Sequence, residues 1–208
     1  FAGVQTEAAA GHGFLIKGGQ TYQPIRARVE ADWSQAGFWL AAAGLGSNVS
    51  VSGLSGNSTQ GDRVITDWRD RLEQEGDVEL DVSDCPDLVP PLAAIAALRD
   101  GQVTRIVNAG RLRMKESDRL VSVREELNRM GANVVEGKDF LEIYGVKNLK
   151  GAVTESHNDH RIAMMIAIAA TRADGPVTVK GSECVAKSYP DFWEQYARLG
   201  GVFKEERR

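Results

Sequence analysis

The chain has little cysteine and no strong excess of charge of either sign, and each shortage excludes a class of protein. Its two cysteines, Cys85 and Cys184, are too few for a disulfide framework and lack the spacing of metal ligands. They indicate a reducing, cytoplasmic setting, and each is expected to fill the core rather than act as a nucleophile. A formal net charge of −4 argues against a nucleic-acid partner, which would need a basic face.

Long apolar runs are also missing. The most apolar stretch, residues 162–170, is far shorter than a membrane span, so no membrane partner is expected. The first residues lack the charged start and apolar segment of a signal peptide, and the chain does not begin with methionine. We therefore expect a fragment or a processed chain. Hydrophobic residues make up 42% of the 208 residues, which is typical of a globular protein with one or two domains.

The beginning of the chain predicts the end of a domain. Residues 13–19 indicate a short strand closed by a glycine turn, and the sequence offers it no obvious partner strand. Pro24 then interrupts the chain before a new pattern begins. We expect residues 1–28 to be the tail of a preceding domain or a hinge, and residues 29–208 to form a separate domain.

A pattern of an acidic residue, a small apolar helix and a β-branched strand occurs three times. Its acids are Asp32, Asp87 and Asp159. Each predicted strand begins about 16 to 18 residues after its acid, and the three strands lie at 49–51, 103–106 and 177–179. A second helix follows each strand and has its own acid near its start: Asp62, Asp118 and Asp191.

This alternation predicts an α/β fold, a threefold repeat of α/β units with helices buried against mixed sheets. The first helix of each unit is almost entirely apolar and should be buried on most sides. The second is amphipathic, and the charged residues expected to face water are Arg69, Arg71, Arg124, Glu125 and Glu126. These second helices are expected to end at Gly76, Gly131 and Gly200.

Packing of the three apolar helices would gather their N-termini, whose dipoles would add to a positive field. Asp32, Asp87 and Asp159 stand at those helix starts. Capping of the helix would account for each acid singly, and it is the interpretation favoured for Asp32. The neighbours of Asp87 and Asp159 favour a functional role for those two.

The stretch from residue 111 to residue 120 concentrates charge at another helix start. Its basic residues are Arg111, Arg113, Lys115 and Arg119, and either Ser117 or Asp118 is predicted to cap the helix. Free backbone N–H groups at a helix start, together with nearby cations, are suited to binding an anion. Glu116 within that field could pair with a cation or transfer a proton. Solvated surface charge would explain this stretch equally well if it stood alone.

Two further segments carry similar groups, at residues 158–161 and 187–190. Arg119 and Arg161 can each clamp a carboxylate or a phosphate in bidentate fashion, and Lys115 and Lys187 supply point charges. Four such cations predict a small polyanionic ligand, and a phosphorylated carboxylic acid would fit. His160 could be a general acid, but a binding or orienting role is favoured. His12 and His157 are expected to lie at the surface.

Three stretches of the chain resemble the signatures of the 5-enolpyruvylshikimate-3-phosphate synthase family in sequence, order and spacing. They are residues 113–119, 158–164 and 186–193, and residues 22, 29–43 and 56–62 resemble the region that precedes them. The resemblance covers essentially the whole chain, but it corresponds to the C-terminal half of that family. It implies one of two domains, each built from three α/β units, with the active site in the cleft between them.

The resemblance implies a transferase of the shikimate pathway, which leads to chorismate and the aromatic amino acids. Such an enzyme transfers the enolpyruvyl group of phosphoenolpyruvate to the 5-hydroxyl of shikimate 3-phosphate and releases phosphate. Protonation of the methylene carbon and attack by the hydroxyl give a tetrahedral intermediate, from which phosphate is eliminated. The family needs no cofactor and no metal for this chemistry.

The resemblance also implies roles for individual residues. Asp87 matches the candidate base for the attacking hydroxyl, and Glu116 matches the group that handles the methylene proton. Residues expected to contact or flank the substrates are Lys115, Arg119, Arg161, Lys187, Asp159 and His160. Arg111 stands where some members have an asparagine that contacts shikimate 3-phosphate.

The family's N-terminal motifs are absent from this sequence. They include a Lys-Ser-Lys-Ser-type loop, an Asn-Ala-Gly-Thr loop and a Ser-Ser-Gln stretch, which hold much of the two substrates. The resemblance therefore implies that the chain needs its own N-terminal domain as a partner and is inactive alone. Two alternatives stay open: a related transferase acting on a nucleotide sugar, and a non-catalytic module that binds phosphate or serves in assembly.

Overall fold

A computed structural model describes residues 2–205, and the chain divides after Glu30 into two compact units. In the first unit, β1 (Thr6–Ala9) pairs antiparallel with β2 (Gly13–Ile16). The expectation that the strand at 13–16 has no partner is wrong. Positive φ angles at Gly11 and His12 let the chain turn tightly, so the preceding residues supply the partner strand.

The second unit contains six helices and six strands within the described part of the chain. In chain order they are α1 (Trp33–Gly44), α2 (Ile65–Glu73), β3 (Val78–Asp81), α3 (Val89–Ala96), β4 (Val103–Val107), α4 (Arg119–Arg129), β5 (Asn133–Glu136), β6 (Leu141–Tyr144), β7 (Ala152–Glu155), α5 (His160–Ala170), β8 (Val177–Lys180) and α6 (Phe192–Arg198). Short 3-10 helices lie at Gly61–Val64, Pro86–Leu88, Gly110–Met114 and Ser182–Lys187. None of the helices within residues 2–205 is both long and apolar enough to cross a bilayer.

The strands of the second unit form two sheets, of which the larger is mixed and the smaller is parallel. The larger has the order β3-β4-β6-β5, in which β3 and β4 are parallel and the other pairs are antiparallel. The smaller consists of parallel β7 and β8. In both sheets a parallel pair is connected through an apolar helix, α3 or α5, as the repeated pattern predicts. These features confirm the α/β class.

The prediction of a strand at residues 49–51 is wrong. In the described part of the chain these residues pair with no strand, and the Val49 N–H bonds to the nearby Ser47 carbonyl. β-branched residues favour an extended backbone, yet a strand also needs a neighbour for its backbone hydrogen bonds. The neighbour that β4 finds in β3 has no counterpart here.

The apolar helices α1, α3 and α5 pack against one another and form the centre of the core. Phe38, Leu92 and Ile166, one from each helix, are fully buried. The second helices are amphipathic as predicted, with the exception of Glu126, whose expected exposure is wrong. Glu126 lies one helical turn from Val123 and Met130 and therefore on the buried face of α4.

Acidic residues cap three helices of the second unit. Asp32 accepts the N–H groups of Ser34 and Gln35, and Asp159 accepts that of Arg161. Asp118, rather than Ser117, caps α4 through the N–H of Val121. Gly131 and Gly200 follow the ends of α4 and α6 with positive φ, but α2 ends at Glu73, so the prediction for Gly76 is wrong.

Asp87 caps no helix, although it stands just before α3. It lies in the 3-10 turn Pro86–Leu88, and the second and third residues of α3 are Pro90 and Pro91. A capping side chain normally accepts the N–H groups two and three residues ahead of it; for Asp87 these are Val89, whose N–H donates to the Pro86 carbonyl, and Pro90, which has none. The carboxylate of Asp87 is therefore left for partners outside its own helix.

Candidate functional site

The starts of α3, α4 and α5 meet at the guanidinium of Arg119, which is 1% exposed. Its Nε donates to Asp159 Oδ2 over 2.7 Å, and its Nη1 donates to Asp87 Oδ1 over 2.8 Å. Its Nη2 donates to Glu116 and, over 3.2 Å, to Asp159 Oδ1. One buried cation thus holds three carboxylates from three separate segments. Four of its five N–H groups are used in doing so.

Asp87 is the acid with the most cationic neighbours. Lys115 Nζ lies 3.1 Å from Asp87 Oδ1, and Arg161 Nη2 lies 3.4 Å from Asp87 Oδ2. Burial by itself would raise the pKa of Asp87, but the charge of Arg161, the hydrogen bond from Lys115 and the charge of Arg119 together hold that pKa below its ordinary value. Asp87 is therefore a carboxylate at neutral pH.

Asp159 is fully buried and serves the helix and the site together. Besides capping α5 and binding Arg119, its Oδ2 accepts a hydrogen bond from Ser117 Oγ over 3.0 Å. Burial would raise the pKa of Asp159, but the hydrogen bond and charge of Arg119 outweigh burial and lower it. A charged Asp159 therefore fixes the position of Arg119 relative to α5.

Glu116 is the most accessible acid of the cluster, with 42% of its side chain exposed. Its Oε1 lies 3.9 Å from Nδ1 of His160, and within residues 2–205 that buried ring nitrogen has no hydrogen-bond partner. Burial and the charge of Arg161 lower the pKa of His160, so its imidazole is neutral at pH 7. A small movement of either side chain would let the two hydrogen-bond.

Lys187 joins the cluster through Asn158 rather than through an acid. It ends the 3-10 turn Ser182–Lys187, and its Nζ lies 2.9 Å from the Asn158 carbonyl oxygen and 2.8 Å from Asn158 Oδ1. Asn158 directly precedes Asp159, so the third cationic segment is tied to the second. The ammonium group stays exposed and can reach a ligand.

Arg111 and Asp32 lie outside this network, and so does Arg113. Arg111 donates to the Ser83 carbonyl over 3.3 Å, and Asp32 caps α1. Arg113 binds the capping residue Asp118 and donates to the carbonyl groups of residues 137 and 138. Of the cations between residues 111 and 119, Lys115 and Arg119 contact the acids of the cluster. Arg113 instead holds the turn between β5 and β6.

Several residues at or near the site make contacts that were not predicted from the sequence. Burial raises the pKa of Asp62, and Arg161 and Asp87 are among the charges that act on it. His157 is partly exposed, with 27% of its side chain accessible, but its Nε2 also lies 2.8 Å from buried Glu126, a contact that the expected surface position did not include. Ser117 and Asn158 stood within recognised segments, but their spacing carried no signal of the contacts they make.

The cysteines take no part in the site. Cys85 and Cys184 are buried and unpaired by disulfides, as expected for core residues. Burial raises the pKa of the Cys85 thiol to about 11. Such a thiol is a poor nucleophile at neutral pH.

The arrangement is suited to a small anion whose reaction moves protons. Lys115, Arg161 and Lys187 offer donors at the surface of the cluster, and Glu116 is reachable from solvent. Cations that are already held in place stabilise developing negative charge without reorganising.

Comparison with known sequences places this geometry in context. The sequence model of EPSP synthase (3-phosphoshikimate 1-carboxyvinyltransferase) matches residues 2–196. The chain is 44% identical over 218 aligned positions to the 3-phosphoshikimate 1-carboxyvinyltransferase of Clostridium kluyveri, covering 98% of this chain and 51% of that protein. It is 47% identical to the enzyme of the same name from Clostridium acetobutylicum, covering 98% and 50% respectively. The chain thus spans about half the length of these curated relatives.

Solved structures share the fold. EPSP synthase from Acinetobacter baumannii superposes with a TM-score of 0.81 at 24% identity, covering 99% of this chain and 54% of that one. The enolpyruvyl transferase NikO from Streptomyces tendae gives 0.70 at 18% identity, covering 97% and 51%. At these identities the likeness concerns the fold alone.

Proposed function

The chain belongs to the EPSP synthase (3-phosphoshikimate 1-carboxyvinyltransferase) family, and we propose on that premise that it carries one half of an enolpyruvyl transferase active site. The reaction is transfer of the enolpyruvyl group of phosphoenolpyruvate to the 5-hydroxyl of shikimate 3-phosphate, with release of phosphate. The observation that carries the proposal is the meeting of Asp87, Glu116 and Asp159 on the single guanidinium of Arg119.

Asp87 and Glu116 are the proposed proton-transfer groups. Asp87, kept ionised by its three cationic neighbours, would accept the proton of the attacking 5-hydroxyl. Glu116 would give a proton to the methylene carbon. Glu116 now accepts a hydrogen bond from Arg119; if a substrate carboxylate took over that bond, Glu116, with 42% of its side chain exposed, would take up from solvent the proton it donates. The neutral, unpaired Nδ1 of His160 is placed to orient it.

The cations are the proposed ligands of phosphoenolpyruvate. The side chains of Arg161 and Lys187 are not fully buried, and Lys115, which contacts Asp87, is proposed to lie between the two substrates. They would bind the carboxylate and phosphate and stabilise the charge that develops as phosphate leaves. Asp159 would act through Arg119, which it holds, and Arg111 would contact shikimate 3-phosphate at the rim.

The rest of the active site is proposed to come from another domain. Residues 1–28 would be the end of that N-terminal domain, and residues 29–208 would be the C-terminal domain. The half-length match to the relatives and the division of the chain after Glu30 support this. A cytoplasmic location is part of the proposal and is supported by the two buried cysteines, which are free thiols.

The proposal is tested by measuring phosphate release from the two substrates. The assembled enzyme, meaning this chain joined to the remaining half of a full-length family member, should turn over with both substrates and with neither alone. The 208-residue chain by itself should be slower by about a thousandfold or more, because half of the transition-state contacts are missing. Equal rates for the chain and the assembled enzyme would contradict the division of the site.

A further inference from the structure

One buried carboxylate lies outside the cluster described above. Glu126 on α4 is 0% exposed, and its Oε2 accepts the backbone N–H of Glu155 over 2.9 Å. Its Oε1 lies 2.8 Å from His157 Nε2 and 3.3 Å from Arg129 Nε. Burying a carboxylate is unfavourable unless it is fully bonded. These bonds hold Glu155, at the end of β7, and His157, the first residue of the next turn.

The turn that Glu126 holds has a backbone conformation that needs support. His157 and Asn158 have φ angles of 54° and 55°, in the left-handed region. Consecutive non-glycine residues adopt this conformation only where their surroundings enforce it. Ser156 enforces it from one side, since its backbone carbonyl accepts the N–H of Asp159 and its Oγ donates to the Gly181 carbonyl. Glu126, through His157, enforces it from the other.

The turn leads directly into the proposed phosphoenolpyruvate site. Asn158 gives two oxygens to Lys187 Nζ, and Asp159 binds Arg119 and caps the helix that begins with His160 and Arg161. Without the turn, the oxygens that hold Lys187 would point elsewhere. Glu126 touches none of these cations, but it fixes the backbone from which they are arranged.

We infer that Glu126 is a positioning residue for the cationic side of the active site, acting through His157 on the turn that carries Asn158. The kinetic part of this inference rests on the proposed function, whereas the expected effect on the turn follows from the geometry alone. A residue of this kind should affect the binding of phosphoenolpyruvate selectively, because the cations it arranges are those assigned to that substrate.

A divalent metal ion is the competing explanation for this cluster. Ligand atoms of Glu125, Glu126 and His157 lie within 4.8 Å of one another. However, Glu126 and His157 already bond to each other, and the guanidinium of Arg129 lies beside them. A cation placed there would break the first contact and be repelled by the second.

The kinetic test compares Glu126→Gln with Glu125→Gln in the assembled enzyme. Glu125 is the matched control, because it is the adjacent acid on α4 and its carboxylate pairs with Arg124 over 3.0 Å rather than with the turn. Glu126→Gln is expected to raise KM for phosphoenolpyruvate at least tenfold and to leave KM for shikimate 3-phosphate within about twofold. Glu125→Gln should leave both within about twofold. A merely structural role would reduce active enzyme and kcat without this selectivity.

A second variant and a second measurement complete the test. His157→Asn removes the imidazole but keeps a residue that tolerates the left-handed region, and it should raise KM in the same direction. Amide hydrogen exchange at Asp159 should be about tenfold faster in Glu126→Gln, whether or not the enzyme catalyses the proposed reaction. The inference is overturned by an unchanged exchange rate at Asp159 or by equal effects on both KM values. A loss of activity with Glu125→Gln or with a chelator would also overturn it, because it would indicate a metal ion.

Discussion

Replacing Glu116 with glutamine is expected to lower kcat of the assembled enzyme by about a thousandfold, with a much smaller change in KM for either substrate. Glutamine has nearly the same shape and can still accept a hydrogen bond from Arg119, but it cannot give up a proton to carbon. Positioned general acids contribute about 10²–10⁴ in rate. A change made only at the transition state appears in kcat.

The measurement is steady-state phosphate release with both substrates varied. Glu73→Gln is the matched control, since Glu73 is an exposed acid at the end of α2 that pairs only weakly, at 3.4 Å, with Arg69. That variant should retain wild-type kcat. If Glu116→Gln kept its activity within about tenfold, Glu116 would not be the acid of the reaction.

Replacing Arg119 with methionine is expected to lower the free energy of unfolding of the 208-residue chain by about 3–5 kcal/mol. The methionine fills a similar volume, but it leaves Asp159 fully buried without its cation and removes the common partner of Asp87 and Glu116. Removing one partner of a buried ionic network lowers stability far more than replacing the whole network with apolar residues. This effect does not depend on the second domain or on any substrate.

Urea denaturation of the chain measures this effect, and Arg105→Met provides the control. Arg105 makes two surface ion pairs at 3.2 Å with Glu79 and Glu142, and its loss should change stability by less than about 1 kcal/mol. In the Arg119→Met background, Asp159→Asn should recover part of the loss by removing the unpaired charge. Equal stability of the two arginine variants would mean that Arg119 is not the centre of the network.

Local signals in the sequence were sufficient to predict the apolar helices. An acid followed by small apolar residues correctly placed α1 and α5 with their caps, because both the cap and the apolar helix depend on residues close in sequence. The same signals failed where the outcome depended on distant partners. Residues 49–51 have strand composition but pair with no strand in the described part of the chain, and the acidic side chain of Glu126 is buried against a distant turn.

Prediction of the site from the sequence was limited in the same way, because its contacts join residues far apart in the chain. The cationic segments could be recognised from sequence, but nothing in their spacing distinguished Arg113, which binds a neighbouring turn, from Arg119, which holds three acids. The contact of Arg119 with Asp159 joins residues 40 positions apart, and that of Arg161 with the Asp87 backbone joins residues 74 apart. The role of Asp87 also depends on its local turn, because the Val89 N–H donates to the Pro86 carbonyl and Pro90 has no N–H, so the Asp87 carboxylate is left for distant cations.

Calorimetric titration of the assembled Glu116→Gln enzyme with phosphoenolpyruvate, in the presence and absence of shikimate 3-phosphate, tests the central claim most directly, because the active enzyme would convert the two substrates during the titration. That claim is that the cations and the two proton-handling acids form one site shared by both substrates. We expect phosphoenolpyruvate to bind at least about tenfold more tightly when shikimate 3-phosphate is present, and Lys187→Ala to abolish that gain. Equal affinity in both conditions, or unchanged binding in Lys187→Ala, would contradict it.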